Sequence, residues 1–329
     1  MRILIAGVGS IGRRHLLNLR QLGMSDIVLY RTRPDRLKEA PDLAVFTDLR
    51  DALGVKPDIV IVSNPTAQHL EVALPAAQAG CNLFIEKPLS HSWDGVEEML
   101  SMVRKNNLLT LVGFDLRFDP GLCKVKSILD VGSIGRVVAI QAQVGQYLPD
   151  WKPSEDYRKG ISAHIKTGGG VIFDLIHELD YVSWLIGPVH AVACFADKVS
   201  GLEIETEDTA AILLRFENGA IGTVHLDYIQ HIPSRTCRVI GEGGTIFWDY
   251  YGKKVSWYDA TTAGKRRWEE FEYPGYERND RFIAEMKHVI ACVRGQELPK
   301  VDAFAGSQVL KLALAAKESA LTGKVSVMS

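Results

Sequence analysis

Short apolar runs alternate with stretches of helical spacing over the chain as far as Phe118. Apolar runs bounded by turn residues indicate buried strands, and their alternation with helices is typical of a doubly wound parallel sheet. Strands are predicted at Arg2–Ala6, Ile27–Tyr30, Ala44–Phe46, Ile59–Ser63, Leu83–Glu86 and Leu109–Gly113. Helices are predicted at Arg13–Leu22, Thr66–Ala79 and Trp93–Asn106. The pattern therefore predicts an α/β N-terminal domain of the Rossmann type.

After Phe118 the pattern changes to longer alternating runs with fewer helices. Strands are predicted at Arg136–Gly145, Ala191–Ala196, Thr209–Phe216, Ile221–Tyr228, Thr236–Gly241 and Thr245–Tyr250. Helices are predicted at Pro120–Val131, within Gly168–Ile186, and at Asp280–Arg294 and Phe304–Thr322. Alternation of this kind indicates a sheet with one covered and one exposed face. We expect an α+β C-terminal domain with a large open, mainly antiparallel sheet, and a division into domains 1–118 and 119–329.

The composition excludes several classes of protein. The chain has 329 residues, of which 47% are hydrophobic and 24% charged, and its formal net charge is −2, so nothing favours nucleic acid or an anionic membrane. No apolar run approaches the ~20 residues of a membrane span, and a first strand beginning at Arg2 leaves no room for a secretory signal. The five scattered cysteines form no C-x-x-C pair. We expect a cytoplasmic protein with reduced thiols and no metal site.

A glycine-rich turn follows the first predicted strand, in the segment Ile5 to His15. Gly7 permits a tight turn, Gly9 lets the backbone approach a pyrophosphate, and Gly12 allows close packing of helix on strand. The N–H groups at the start of the next helix would meet the phosphates. A glycine-rich turn without a ligand is the alternative, which the strand–turn–helix frame disfavours. The candidate cofactor-binding residues here are Gly7, Gly9, Ser10, Ile11 and Gly12.

The residues after the second predicted strand bear on the choice of cofactor. NAD-binding sheets place an acidic residue there for the ribose hydroxyls, but this chain has Arg31, Thr32 and Arg33. Guanidinium groups match the oxygens of a 2′-phosphate, so we expect NADP to be preferred over NAD. In the alternative, the arginines stack on adenine or face solvent. Arg13 and Arg14 are either further phosphate ligands or surface charges.

Polar residues follow three strands of the predicted parallel sheet, where ligands of such sheets bind. Lys87 stands at the end of one strand before a proline, where a desolvated lysine can hydrogen-bond a reacting alcohol or carbonyl oxygen. A solvated surface lysine is the alternative. Candidate cofactor-binding residues at these strand ends are Asn64, Pro65, His69, Glu86 and Lys87. Arg117, after the last strand, is a candidate for substrate binding.

Two segments of the second domain carry candidate chemistry. If the stretch after Gly168 is helical, Asp174 and His177 lie three residues apart on one face, where a carboxylate can orient a histidine that takes a hydroxyl proton. A core histidine is the alternative, and no cluster completes a zinc site. The segment 146–159 is either a substrate loop or an ordinary surface loop. Its candidate substrate-binding residues are Tyr147, Trp151, Tyr157 and Arg158, with His164, Tyr228 and His231 as further lining residues.

Taken together, these motifs resemble the Gfo/Idh/MocA family of oxidoreductases. The resemblance runs over nearly the whole chain and includes the glycine turn with His15, Asn64-Pro65 with His69, Glu86-Lys87-Pro88, Gly113 to Phe118, and the segment from Gly168 to His177. It implies a catalytic Lys87, an acid/base pair of His177 and Asp174, an NAD(P)-binding domain 1–118, and a substrate-binding and oligomerisation domain 119–329. Many members place the histidine four residues after the aspartate. Here the gap is three, which puts the role of Asp174 in question.

The resemblance implies an NAD(P)-dependent oxidoreductase that acts on a secondary alcohol or ketone of a sugar, sugar acid or nucleotide sugar. One alternative is redox-neutral chemistry with retained cofactor, such as epimerisation or glycosidic cleavage. The other is a cofactor-sensing regulator without catalysis, which Lys87 and His177 argue against. An open sheet commonly buries its free face by self-association, so we expect a homodimer or homotetramer.

Overall fold

The computed structural model describes residues 1–35, 37–260 and 267–328. The chain forms two compact units, of which the first comprises Met1–Asp115 with Arg278–Leu310 and the second Leu116–Glu277 with Lys311–Ser329. The division into domains 1–118 and 119–329 stays a prediction. Within the described ranges, no helix combines the length and apolar content needed to span a bilayer.

The elements are numbered here in chain order. The strands are β1 (Ile3–Ala6), β2 (Ile27–Tyr30), β3 (Ala44–Phe46), β4 (Ile59–Val62), β5 (Asn82–Glu86), β6 (Thr110–Gly113), β7 (Val137–Gly145), β8 (Val189–Asp197), β9 (Thr209–Phe216), β10 (Ile221–Asp227), β11 (Ser234–Gly241), β12 (Gly244–Asp249), β13 (Lys254–Asp259), β14 (Arg267–Glu272) and β15 (Ser326–Val327). The α-helices are α1 (Ser10–Gln21), α2 (Leu49–Gly54), α3 (His69–Gln78), α4 (Val96–Lys105), α5 (Pro120–Asp130), α6 (Val171–Asp174), α7 (His177–Ile186), α8 (Arg278–Val293) and α9 (Ala303–Thr322).

The first unit is built on a parallel sheet with strand order β3-β2-β1-β4-β5-β6. All four residues of β1 and of β4 are buried, as expected of central strands covered on both faces. Helix α8 returns to this unit and places Met286 and Val289 in the same apolar core as Ile5 and Leu16. The predicted Rossmann-type fold is confirmed.

The second unit contains a nine-stranded sheet with strand order β14-β13-β12-β11-β7-β10-β9-β8-β15. Only β7 and β10 pair in parallel, and every other pair described is antiparallel. Buried and exposed residues alternate along β9 and β10, so one face is covered and the other open. Helices α5 and α7 pack against the sheet. The predicted large, mainly antiparallel sheet is confirmed.

The structure departs from the predicted elements at several places, and α2 (Leu49–Gly54) is a helix that was not predicted. The single helix predicted within Gly168–Ile186 is wrong, because Leu175 and Ile176 separate α6 from α7. Strands β13, β14 and β15 were not predicted. Charged residues interrupt β14, and β15 has only two residues, so these two strands lack the apolar alternation on which a sequence-based prediction depends. In β13, Val255 and Trp257 do alternate with polar positions, a signal that the prediction missed.

Candidate functional site

The glycine turn after β1 leaves room at one position and none at two others. Gly7 has φ +89°, and a Cβ atom added there would lie 2.4 Å from the backbone nitrogen of Asn64. A Cβ at Gly12 would lie 2.0 Å from the carbonyl oxygen of Gly7. At Gly9, by contrast, no atom lies within 4 Å of the added Cβ. Gly7 and Gly12 are therefore required by packing, whereas Gly9 keeps a space open outside the backbone.

The open space lies at the N-terminus of α1, whose first turn has no side-chain cap and no acidic residue. The N–H groups of Ser10, Ile11 and Gly12 therefore meet neither a capping side chain nor a carboxylate that would repel an anion. The Oδ1 atom of Asn64 is buried without a hydrogen-bond partner. Bare N–H groups, an open backbone and an unsatisfied acceptor fit the pyrophosphate and polar groups of a dinucleotide.

The residues after β2 present their positive charge partly to solvent. The N–H of Arg31 donates to the carbonyl of Phe46, and its guanidinium donates to the carbonyl of Asp35. Thr32 and Arg33 are exposed. The first carboxylate after the strand is Asp35, five residues beyond Tyr30.

Arg13 and Arg14, at the start of α1, have partners of their own. Arg13 pairs with Glu39 at 3.2 Å, and the guanidinium of Arg14 lies 4.5 Å from the ring centre of Phe282. Burial lowers the pKa of Arg14. The structure thus gives both arginines contacts within the first unit.

Lys87 follows β5 directly and is half-buried. Its backbone N–H donates to Oε2 of Glu86 at 3.3 Å. The other oxygen of that carboxylate, Oε1, lies 2.5 Å from Nε2 of His15, and both side chains are buried. Glu86, predicted to bind cofactor, therefore connects the glycine-turn helix to the backbone of Lys87.

His69 holds two strand-end loops together. Its Nδ1 lies 2.9 Å from the carbonyl oxygen of Pro88, and its Nε2 lies 3.0 Å from that of Asn64. The ring is 1% exposed, and this burial lowers the pKa of His69, although Glu86 and the two carbonyls act in the opposite direction. Because both ring nitrogens contact backbone, the observed contacts of His69 fix the loops that carry Asn64 and Pro65.

In the second unit, Asp174 faces a buried phenol. The hydroxyl of Tyr228 donates to Oδ2 of Asp174 at 2.6 Å. Burial, reinforced by the Asp174 charge, raises the pKa of Tyr228 well above its usual value, so the phenol keeps its proton. Trp151 meets the ring of Tyr228 edge to face, with centroids 5.4 Å apart. The structure thus brings together the candidates Asp174, Tyr228 and Trp151.

Asp174 and His177 lie on two different helices, whereas the sequence-based expectation was conditional on one helix. Asp174 ends α6, and His177 begins α7 after the break at 175–176. His177 is 8% exposed. The two side chains therefore depend on different helices for their orientation, and the spacing of three residues does not translate into one helical turn.

Glu207, which the sequence analysis did not single out, supports α6. Glu207 accepts from the N–H of Ile172 at 3.4 Å and pairs with Lys317 at 2.8 Å. Gly170 has φ +112°, and an added Cβ would lie 2.5 Å from the Glu207 carboxylate. The Glu207 carboxylate therefore lies beside the start of α6. Because Glu207 is distant from α6 in the sequence, no local pattern could have predicted this contact.

The remaining substrate candidates contact partners within the chain. Arg117 forms a bidentate pair with Asp180, with both N–O distances 2.8 Å, and its guanidinium lies over Trp184. Arg158 pairs with Asp156 and Glu203, and the hydroxyl of Tyr157 accepts from the N–H of Glu203. The rings of Tyr147 and His231 lie 4.1 Å apart. The roles of these residues toward substrate stay predictions.

Comparisons with known proteins match both parts of the chain. A sequence model described as an oxidoreductase family, NAD-binding Rossmann fold, matches residues 1–114, and one described as the GFO/IDH/MocA C-terminal domain matches residues 122–247. Myo-inositol 2-dehydrogenase of Thermotoga maritima is 30% identical and covers 97% of this chain and 96% of its own length.

Solved structures match over the whole fold. Levoglucosan dehydrogenase in complex with NADH and levoglucosan has a TM-score of 0.88 at 21% identity, covering 99% of each chain. The WlbA dehydrogenase of Bordetella pertussis in complex with NADH and UDP-GlcNAcA has a TM-score of 0.83 at 23% identity, covering 100% of this chain and 98% of its own. At these identities the likeness is one of fold.

The hydrogen bond between Tyr228 and Asp174 should contribute to the free energy of unfolding. Hydrogen bonds to charged groups contribute about 1.5–3 kcal/mol, so a double-mutant cycle of Tyr228→Phe and Asp174→Asn should show a coupling of that size in the free energy of unfolding. Tyr157→Phe is the matched control, because its hydroxyl contacts backbone, and should show no coupling to Asp174→Asn. Equal coupling energies in both cycles would contradict a specific hydrogen bond between Tyr228 and Asp174.

Proposed function

The chain belongs to the GFO/IDH/MocA family of NAD-binding oxidoreductases, and we propose that it interconverts a secondary alcohol and a ketone on a sugar or sugar-like polyol. The observation that carries the proposal is the position of Lys87. It directly follows β5, at the edge of the parallel sheet where β1 is followed by the glycine turn and β4 by Ser63 and Asn64. Ligands of such sheets bind at that edge.

The residues that would hold the dinucleotide are those of the glycine turn, Asn64 and the segment after β2. Bound by these residues, the dinucleotide would supply the hydride acceptor for alcohol oxidation and the hydride donor for ketone reduction. We propose NADP(H) as the preferred form, because Arg31, Thr32 and Arg33 stand where an acidic residue would bind a ribose hydroxyl. The exposure of Thr32 and Arg33 supports this proposal.

Three side chains have proposed roles in the proton chemistry. The ammonium group of Lys87 hydrogen-bonds the reacting oxygen and stabilises the negative charge that develops on it. His177 takes the hydroxyl proton during oxidation and returns it during reduction. The Asp174 carboxylate, which accepts a hydrogen bond from Tyr228, is a positioning group for this chemistry.

The substrate class is proposed from the relatives and from the aromatic groups near Asp174. Inositol and levoglucosan dehydrogenases are named for polyhydroxylated rings. Aromatic faces pack well against the apolar faces of such rings, and Trp151 is half-buried beside Tyr228. The comparisons favour net dehydrogenation over redox-neutral chemistry.

We also propose a cytoplasmic location, which the five free cysteines support.

We also propose that two copies of the chain associate through the open sheet face of the second unit. Phe195 on β8 is 82% exposed and Leu213 on β9 is 54% exposed. They are diagonal neighbours on the same face, because Phe195 pairs with Ala211 and Leu213 lies two residues further along β9. Ile221 on β10 is also exposed and pairs with Arg215 on the same side. Apolar side chains grouped on an open sheet face favour burial against a second copy.

Replacement of Lys87 tests the catalytic assignment. Lys87→Ala should lower kcat at least about 100-fold, the lower end for lost acid/base assistance, with the Kd for cofactor unchanged. The assay follows the absorbance of reduced nicotinamide with a panel of inositols, anhydrosugars, sugar acids and nucleotide sugars. Lys105→Ala, at the exposed end of α4, is the matched control and should keep both quantities. Unchanged turnover in Lys87→Ala would contradict the assignment.

Replacement of Arg33 tests the choice of cofactor. Because a hydrogen bond to a charged group contributes about 1.5–3 kcal/mol, Arg33→Ala should weaken NADPH binding about tenfold or more and leave NADH binding unchanged. Fluorescence titration of each reduced cofactor measures the two Kd values. Arg294→Ala, another exposed arginine of the first unit, should change neither. Tighter binding of NADH than NADPH by the unaltered protein would refute the NADP proposal.

The oligomeric state tests the proposed sheet-face interface. We expect light scattering after size exclusion to give a dimer or tetramer, and Leu213→Asp to shift the mass toward the monomer, because the change buries a charge in an apolar contact. Leu298→Asp, at an 87% exposed leucine of the first unit, should leave the mass unchanged. A monomeric unaltered protein rules the interface out.

A further inference from the structure

Three titratable side chains meet beneath the strand end that carries Lys87. His15 on α1, Glu86 at the end of β5 and Glu285 on α8 have side-chain donor or acceptor atoms within 4.8 Å of one another. They are 0%, 8% and 2% exposed. We call these three residues the buried acid cluster. It belongs entirely to the first unit, and nothing in the proposed function uses Glu285.

Glu285 differs from the other two members because both of its carboxylate oxygens are buried without a hydrogen-bond partner. An ionised carboxylate in such a place would lose its hydration and gain nothing in return. The charged groups around it do not compensate, since Glu86 and Asp115 are negative and Arg281 is hydrogen-bonded to Asp115. Burial and these two carboxylates raise the pKa of Glu285 well above its usual value.

A further charged group near Glu86 is Arg14, which lies over the ring of Phe282. Burial and neighbouring Arg278 lower its pKa, and its charge acts on Asp115 and Glu86. A neutral Glu285 therefore avoids repulsion from the carboxylates of Glu86 on β5 and Asp115 after β6.

The geometry favours a proton over a metal ion at this place. Two ligands of one zinc ion, with bonds of about 2.0–2.2 Å, would lie about 3.3 Å or more apart. Nε2 of His15 and Oε1 of Glu86 lie 2.5 Å apart, which is a hydrogen-bond distance. A protonated Glu285 would add a second donor within 4.8 Å of the same Glu86 carboxylate.

The cluster acts on the backbone that carries Lys87. Oε2 of Glu86 accepts from the N–H of Lys87 at 3.3 Å. Gly113 on β6 gives this carboxylate its space, because an added Cβ there would lie 3.1 Å from the same oxygen. The orientation of the Glu86 carboxylate therefore sets where the Lys87 peptide lies.

We propose that Glu285 keeps its proton at neutral pH and donates a hydrogen bond to Glu86, so that the buried acid cluster fixes the Glu86–Lys87 turn and positions Lys87. The protonation stands on the geometry of the first unit alone. The positioning of a catalytic lysine rests on the proposed function. The experiment therefore measures the two parts separately.

Infrared spectroscopy measures the protonation directly. At neutral pH the unaltered protein should show the carbonyl stretch of a protonated carboxylic acid, shifted in D2O, and Glu285→Gln should lack it. Glu98→Gln, at an exposed position of α4, is the matched control and should keep the band. Identical spectra for the unaltered protein and Glu285→Gln would overturn the proposal.

The pH dependence of thermal unfolding gives a second reading without any substrate. A carboxyl group whose folded pKa is raised binds its proton in the folded state while the unfolded chain ionises, so its contribution falls as the pH rises above the unfolded value of about 4.3. The Tm of Glu285→Gln relative to the unaltered protein should therefore climb between about pH 5 and pH 8. A Tm difference that does not change with pH would overturn the proposal, since it would mean that Glu285 ionises normally.

Turnover separates positioning from a merely structural role. Glu285→Leu removes the donor and should lower kcat by about 100-fold, the cost of a small misplacement of a catalytic group, with KM changed little. Glu285→Gln retains a donor facing Glu86 and should restore most of kcat. Failure of Gln to rescue, or full kcat in Glu285→Leu, would overturn the positioning role. If the unaltered protein turns over no sugar, the proposed function fails, whereas the infrared and unfolding data still decide the protonation.

Discussion

The close approach of backbone to backbone at the first strand-to-helix turn is the constraint on which the first unit depends. No side chain fits at Gly7 beside Asn64 or at Gly12 beside the Gly7 carbonyl. This contact sets α1 directly against the strand ends, which leaves Gly9 open and brings His15 under Glu86. The same packing thus creates the space for a dinucleotide and the buried contact that reaches the Lys87 backbone.

The sequence predicted those parts of the molecule that depend on local patterns. The strand bounds Ile27–Tyr30 and Ala44–Phe46 agree with the structure, because short apolar runs between turn signals leave few alternatives. The break between α6 and α7 was missed, because neither Leu175 nor Ile176 is a helix breaker and the contact of Gly170 with Glu207 joins residues distant in the sequence. Local helix propensity does not predict the structure where tertiary contacts determine the backbone conformation.

The partners of charged side chains were the least predictable feature of the candidate site. Arg117 was a substrate candidate, yet it forms a nearly dry bidentate pair with Asp180, which lies 63 positions away in the sequence. Breaking such a pair leaves an uncompensated buried charge, which strongly favours a structural role. Arg158 instead pairs with Asp156 on the exposed surface, where ion pairs contribute little. Composition shows that a cation is present, but only the fold shows whether it is already paired.

Glu285 carried a signal that sequence reasoning could have used. It lies on α8 next to Met286 and three residues after Phe282, so an acidic residue interrupts the apolar face of an amphipathic helix. Such a residue is either exposed to solvent or buried with a loss of hydration free energy. Because α8 packs into the core of the first unit, Glu285 is buried. Since the helix also supplies Met286 and Val289 to that core, the unit cannot complete its packing without bringing the acid against Glu86. Protonation is the least costly way to satisfy both demands, because a neutral carboxyl group can stay in the apolar core and still offer a hydrogen bond to its charged neighbour.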